Sequence, residues 1–238
     1  MDGHKREPWR NVRGFLKEYA IIVVGVLTAL GAGQVVESLH ERQIADEARE
    51  SIRAEVRENL WWMEQRESHE ACTRQRLAEI GAILDHARRR QPYPTPLQVG
   101  RPYHPKITTL RWQANAQAGR ASLFTPQEQR YLGNMYYSTE QYAEAQAVDE
   151  DAWTRMHAIE GLDHLTPAEI DQFATLLAQV RHANAMMTRG LERAHQWAAL
   201  MHLKADNPNA FEVAVGPNGG EACPSISAPP TGRPEDAY

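Results

Sequence analysis

The chain has 238 residues, 42% of them hydrophobic, with 26 Lys and Arg against 31 Asp and Glu and a formal net charge of −5. That length leaves room for one membrane span and a domain of about 170 residues with a sizeable core. The acidic balance, with no basic patch interleaved with aromatics, argues against nucleic acid as a partner.

Residues 1–18 form a short basic N-terminus carrying Lys5, Arg6, Arg10, Arg13 and Lys17. Residues 19–36 follow as YAIIVVGVLTALGAGQVV, without a single charge. As a helix this stretch is about 27 Å long, enough to cross the hydrocarbon core of a bilayer. Basic flanks stay cytoplasmic, and the first residues beyond the span include Glu37 and Glu41, so the chain after the span is expected outside. The simplest location is a bacterial inner membrane, single pass, with the bulk in the periplasm. A cleaved signal peptide is the rival reading, because Ala29-Leu30-Gly31 and Gly31-Ala32-Gly33 are small-x-small pairs. The long basic region and the helical pattern continuing through residues 34–39 favour retention. Gly25, Ala29 and Gly33 line one face of the span, a ridge suited to another membrane protein or to self-association within the bilayer.

Residues 37–206 read as an extracytoplasmic helical bundle. From 37 to 90 there is no Pro and a single Gly, Gly81. The span is therefore expected to continue as a long helix, on the order of 80 Å if unbroken. Ala45, Ala48, Ile52 and Val56 make a narrow apolar stripe, and Leu60, Met63, Leu77, Ile80, Ile83 and Leu84 a broader one. Trp61 and Trp62 point about 100° apart and cannot share one seam, which makes them candidates for an interface. The Pro-rich loop 91–105 should be extended chain across the end of the domain. Its Tyr93 and Tyr103 are further interface candidates. Residues 107–123 can form a short helix.

Arg101, Lys106, Arg111 and Arg120 make this connector basic, and it is expected to attract the acidic helix that follows, with Glu140, Glu144 and Asp149 among its charges. Thr125-Pro126-Gln127-Glu128 and Thr166-Pro167-Ala168-Glu169 are two helix starts with an N-cap Thr, Pro at the first position and Glu at the third. They open helices to about Gly161 and Lys204. In the second, Ile170, Phe173, Leu177, Val180, Asn184, Met187, Leu191, Ala194, Ala198 and Met201 keep a 3-4 spacing, a coiled-coil-like seam on which Asn184 is expected to fix register. Residues 207–238 read as a disordered tail unless Cys223 pins it. The chain's two cysteines, Cys72 and Cys223, would lie in an oxidising compartment and are a possible disulfide.

Ten histidines raise the question of metal. Di-iron bundles use two Glu-x-x-His pairs, and Glu37…His40 and Glu192…His195 have that spacing. About one such pair is expected by chance in this composition, and Glu37 and His40 fall at the membrane edge. His157, Glu160 and His164 cluster at a helix end. No nucleophile elbow, S-x-x-K or Gly-rich phosphate loop is present. The expectation is a non-enzyme without metal or cofactor.

The stretch FLKEYAIIVVGVLTALGAGQVVESLHERQIADEARESIRAEVRENL resembles the opening of a group of uncharacterised bacterial single-span inner-membrane proteins, over about residues 15–60. Those share a short basic N-terminus, a G-x-L-x-A-L-type span and a Glu/Arg-rich helix directly after it. The resemblance implies an outward-facing helical protein and carries no catalytic residues.

The expected protein is all-α, with the span feeding an antiparallel bundle. It reads as a membrane-anchored interaction, scaffold or accessory subunit of an envelope complex. A periplasmic small-molecule sensor signalling through a partner is the alternative, and a di-metal bundle enzyme a remote one.

Overall fold

The computed structural model describes residues 8–207 apart from 96, 98 and 101. The elements are α1 (Pro8–Ser68), α2 (Glu70–Arg88), α3 (Leu110–Gln117), a 3-10 turn (Arg120–Leu123), α4 (Pro126–His157) and α5 (Pro167–Leu200), with no strand among the described residues.

α1 lives in two environments. Its N-terminal part is long and apolar enough to cross a membrane, with a mean hydropathy of 2.0 over the best window and none of that window buried. Phe15, Tyr19, Ile22, Val24, Leu27, Leu30, Val36 and Leu39 are all exposed. From Ala45 onward the same helix buries a face: Ala45, Ala48, Ile52, Val56, Leu60 and Met63 follow the 3-4 spacing into the core.

The helix does not run unbroken to Arg90. It ends at Ser68, and His69 takes φ −94°, ψ 0° before α2 begins. The cause is local competition for one carbonyl. The Ser68 hydroxyl and the His69 Nδ1–H both donate to Gln65 O at 2.7 Å, while the His69 amide turns to Arg66 O at 3.1 Å. Side chains of this kind offer the backbone an alternative to the helical ladder, and here they end it.

α4 and α5 pair side by side in opposite directions. Ala152, Trp153 and Met156 share a core with Ile170 and Phe173, whereas Leu132, Met135 and Tyr142 share one with Leu191, Ala194 and Ala198. Gly190 permits a close approach, since a Cβ there would lie 3.2 Å from Tyr142 Cβ. Both expected helix starts form complete capping boxes, at Thr125/Glu128 and Thr166/Glu169. The α5 seam from Ile170 to Ala198 is buried at every position named, and Leu176, Ala183 and Gly190 widen it. The helices stop at His157 and Leu200, a few residues earlier than their sequence suggests.

The connector departs most from expectation. Its first part crosses the end of the domain as expected, where Leu97 O accepts the Gly161 N–H at 3.1 Å and Tyr93 the Leu165 N–H, but from Tyr103 onward it turns and lies along α1. Tyr103 stacks on His69, with ring centroids 5.2 Å apart, Thr108 meets Asn59, and Arg111 and Trp112 meet Glu55. From His69 to Asn59 is about 15 Å of helix, and from Tyr103 to Thr108 about 17 Å of extended chain. The lengths match, so extended chain runs antiparallel to α1 and meets it at His69, Asn59 and Glu55. On its other side the connector meets α4, through His104 to Asp149 and Pro105 to Gln146. It therefore bridges α1 and α4 in place of a fourth long helix. Buried Pro105 suits such a strap, having no N–H to satisfy. The expected attraction to acidic α4 is mostly redirected. Arg111 pairs with Glu58 on α1 at 3.5 Å, Arg120 reaches Asn115 within the connector, and Glu140 and Glu144 stay exposed.

Candidate functional site in a buried polar layer

Two apolar clusters fill the helical domain, one from α1, α4 and the C-terminal half of α5, the other from α2, the strap and the opposite ends of α4 and α5. Polar side chains lie where they meet. At the α1–α2 break, Arg66 is only 3% exposed. Its Nη2 donates to Asn184 Oδ1 at 2.7 Å, and its Nη1 lies 3.5 Å from Glu70 Oε2. Asn184 Nδ2 donates in turn to both Glu70 oxygens, at 2.8 and 2.9 Å. Asn184 thus ties α5 to the break.

α4 contributes the other wall. Thr139, Tyr142, Gln146 and Asp149 fall at 3-4 spacing on one face, interrupting an otherwise apolar stripe. Asp149 is fully buried and accepts from His104 Nε2 at 2.8 Å through Oδ2. Gln146 Nε2 donates to Pro105 O at 2.7 Å. The opposite ends of these groups, Asp149 Oδ1 and Gln146 Oε1, are buried without a hydrogen-bond partner, as are Tyr142 Oη and Arg66 Nε. Trp153 Nε1 and His157 Nε2 continue the file along the same helix. Burial pushes the Tyr142 phenol far above its usual range. Arg66 opposes the shift, while Glu67, Asp149 and Tyr103 add to it. Its hydroxyl therefore stays protonated and able to donate. The layer offers donors (Tyr142 O–H, Arg66 Nε–H) and acceptors (Asp149, Gln146).

A second buried carboxylate has a structural task. Glu55, fully buried, accepts from Tyr136 Oη at 2.7 Å and from the backbone N–H groups of Arg111 at 2.7 Å and Trp112 at 3.2 Å. Thr109, at the N-cap of α3, makes no side-chain capping bond. Glu55 caps that helix from α1 instead, where a carboxylate also meets the positive end of the helix dipole. Trp112 stacks on Tyr136 at 4.9 Å. Burial, then the charge and hydrogen bond of Glu55, drive the Tyr136 phenol far above its ordinary range.

The residues singled out in the sequence lie mostly elsewhere. Trp61 and Trp62 are half-buried and meet edge-on at 4.5 Å. Tyr93 is half-buried against the outer core and accepts the Leu165 N–H at 2.8 Å. Tyr103, through His69 and its electrostatic reach to Tyr142, borders the polar layer. Gly25, Ala29 and Gly33 are exposed, and a Cβ at either glycine would meet nothing within 4 Å. Cys72 is exposed on α2, while Cys223 and the tail beyond 207 lie outside the described residues, and so does the pairing expected of the two cysteines.

The Glu-x-x-His pairs do not meet. His195 Nε2 sits 2.9 Å from Glu64 Oε1, and about 36 Å of α1 separates Glu64 from His40. His157 Nδ1 pairs with Glu160 Oε2 at 2.9 Å, whereas His164 is exposed. Glu160 also accepts the N–H of Val99 at 2.7 Å and of Gly100 at 3.2 Å, fastening the strap to the end of α4. Burial opposes its ionisation, but His157 and these two amides prevail and hold its pKa below the usual 4.5.

Glu55, Asn59 and Arg66 escaped the sequence reading, and Asp149 stood there only as one of the acidic charges of α4. Their signal was present: Glu55 and Asn59 lie beside Val56 and Leu60 on the stripe, and both are fully buried. A polar residue on a buried face must have a partner, and that is the mark to look for. Comparison of the chain with protein-family models, curated proteins and solved structures finds no match.

Proposed function

We propose that the protein is a membrane-anchored, non-enzymatic interaction or accessory subunit of a bacterial envelope complex, its antiparallel helical bundle held on the periplasmic side. The carrying observation is the continuity of α1. One helix, Pro8–Ser68, presents a fully exposed apolar sleeve and then enters the core without a linker. Lipid is the natural cover for that sleeve, and the basic residues before it orient the bundle outward. A bundle rigidly joined to its span suits holding a surface at a set height above the membrane. The exposed ridge of Gly25, Ala29 and Gly33 suits contact with another span. Purification of the full chain from its own host in mild detergent tests the reading. A stoichiometric membrane partner is expected, and a protein that arrives alone or only with itself removes it.

A second reading is favoured by one observation, the unpartnered Tyr142, Gln146, Asp149 and Arg66 atoms between the two cores. In it the bundle binds a small polar molecule and signals through a partner. A ligand of the native state raises the melting temperature by mass action. A screen of small zwitterions and amides that moves the melting temperature of wild type but not of Tyr142→Phe supports the sensor, and a flat screen disposes of it.

A further inference from the structure

We propose that the groove between α2 and α5 is a docking surface for an acidic peptide segment of a partner protein; this rests on the accessory-subunit reading and names the chemistry of the partner. The groove is an open concavity of about 520 Å³, walled by Arg74 of α2 and Arg181 and Arg189 of α5. Glu70 and Asn184 form part of its lining, with Leu77 and Ala185 as apolar ground between the arginines.

The charge balance is what singles it out. Glu70, the groove's carboxylate, is shared among Arg66 at 3.5 Å, Arg74 at 3.5 Å and the Asn184 amide. Arg181 donates to Leu77 O at 3.3 Å, and Arg189 to Ala185 O at 3.2 Å. Among the described residues neither has a carboxylate partner. A chain of net charge −5 therefore concentrates uncompensated guanidinium groups around one concave site.

The spacing decides what kind of anion fits. Arg181 and Arg189 stand about 12 Å apart along α5, and with Arg74 on α2 they spread positive charge along the groove rather than concentrating it at one point. Both are exposed, so a single ion pair with either is screened and weak. A segment bearing several carboxylates engages the three arginines together, each later contact being intramolecular. Its backbone can lie over Leu77 and Ala185. Guanidinium forks donate bidentately to carboxylates, which gives the pairing direction as well as charge.

Fluorescence anisotropy of a labelled oligoglutamate on the detergent-solubilised full chain tests this, with inorganic phosphate as competitor and oligolysine as control. Saturable binding at low salt is expected, weakened by salt and by about 10-fold or more in R181E/R189E. Because Arg181 bonds to the α2 backbone, R181Q/R189Q serves as a milder pair, accepted if its melting temperature matches wild type. Binding unchanged in both pairs, binding of oligolysine as tightly, or displacement by phosphate at equal charge concentration overturns the proposal. Co-purification run in parallel separates the two readings. A partner retained by R181E/R189E overturns the groove and leaves the subunit standing, and no partner for wild type removes the subunit while the anisotropy still judges the groove.

Discussion

Asn59 holds Thr108 by both of its backbone groups: Nδ2 donates to Thr108 O at 2.7 Å, and Oδ1 accepts the Thr108 N–H at 3.1 Å. A single carboxamide thus does for an extended strap what a neighbouring strand would do in a sheet. Asn59→Ala removes both bonds and leaves two strap groups unsatisfied beside a buried helix face, costing roughly 2–4 kcal/mol. Thermal and urea unfolding of the full chain in detergent should show that loss, together with faster proteolysis within residues 103–109. An unchanged stability with an unchanged cleavage pattern would show that the strap is held by its other contacts.

Tyr136 and Glu55 tie α4 directly to α1, at 2.7 Å. Tyr136→Phe keeps the stack on Trp112 and deletes one donor to a buried carboxylate. The expected cost is roughly 1.5–3 kcal/mol, the range for hydrogen bonds to charged groups. A double-mutant cycle with Glu55→Gln should reveal coupling, because the two share one bond. Additive effects would mean that the bond contributes little.

Thr125 begins α4, and Glu128 completes its capping box while also accepting from Arg49 Nε at 2.9 Å. Thr125→Ala should destabilise by about 1 kcal/mol, as N-cap losses do. Thr166→Ala acts in the same direction at the far end of the domain. The two effects should add, since the sites share no partner. A double variant much less stable than the sum would point to coupling through the α4–α5 pair.

Glu128 and Glu160 contribute to the acid response. Burial works against each charge, but Thr125 and Arg49 at Glu128, and His157 with the Val99 and Gly100 amides at Glu160, hold both pKa values below the ordinary 4.5. A carboxylate whose folded pKa is depressed stabilises the fold above its unfolded pKa, and that contribution disappears as pH falls through the folded value. Stability should therefore decline from about pH 5 downward. Glu160→Gln should flatten the decline, and a melting temperature with the same acid slope in wild type and variant would rule Glu160 out as a contributor.

Gly25 and Gly33 face open space in the single chain. Gly25→Leu and Gly33→Leu should leave the melting temperature of the helical domain unchanged while weakening any span-mediated co-purification. If association survives both substitutions, the small-residue face is not where spans meet.

Much of this architecture was legible in one dimension. The apolar run, the capping boxes and the α5 seam are local or periodic signals, and each survives in the three-dimensional structure because nothing distant opposes it. The break at His69 was not legible. Residues 37–90 contain strong helix formers throughout, and propensity summed over such a run conceals one carbonyl captured by Ser68 and His69.

The amino-acid order by itself determined the helical class, an N-terminal helix able to cross a bilayer, the starts of α4 and α5 and the faces they bury, because those depend on neighbours within a few turns. Only the tertiary structure decided the path of residues 103–112 and the tasks of Glu55, Asn59, Arg66 and Asp149. A proline-rich stretch with no helical period carries no information about which groove will hold it. Its position rests on partners 49 residues away at Asn59–Thr108 and 45 away at His104–Asp149. Those contacts exist only after α1, α4 and α5 have come together, and no pattern along the chain can announce them.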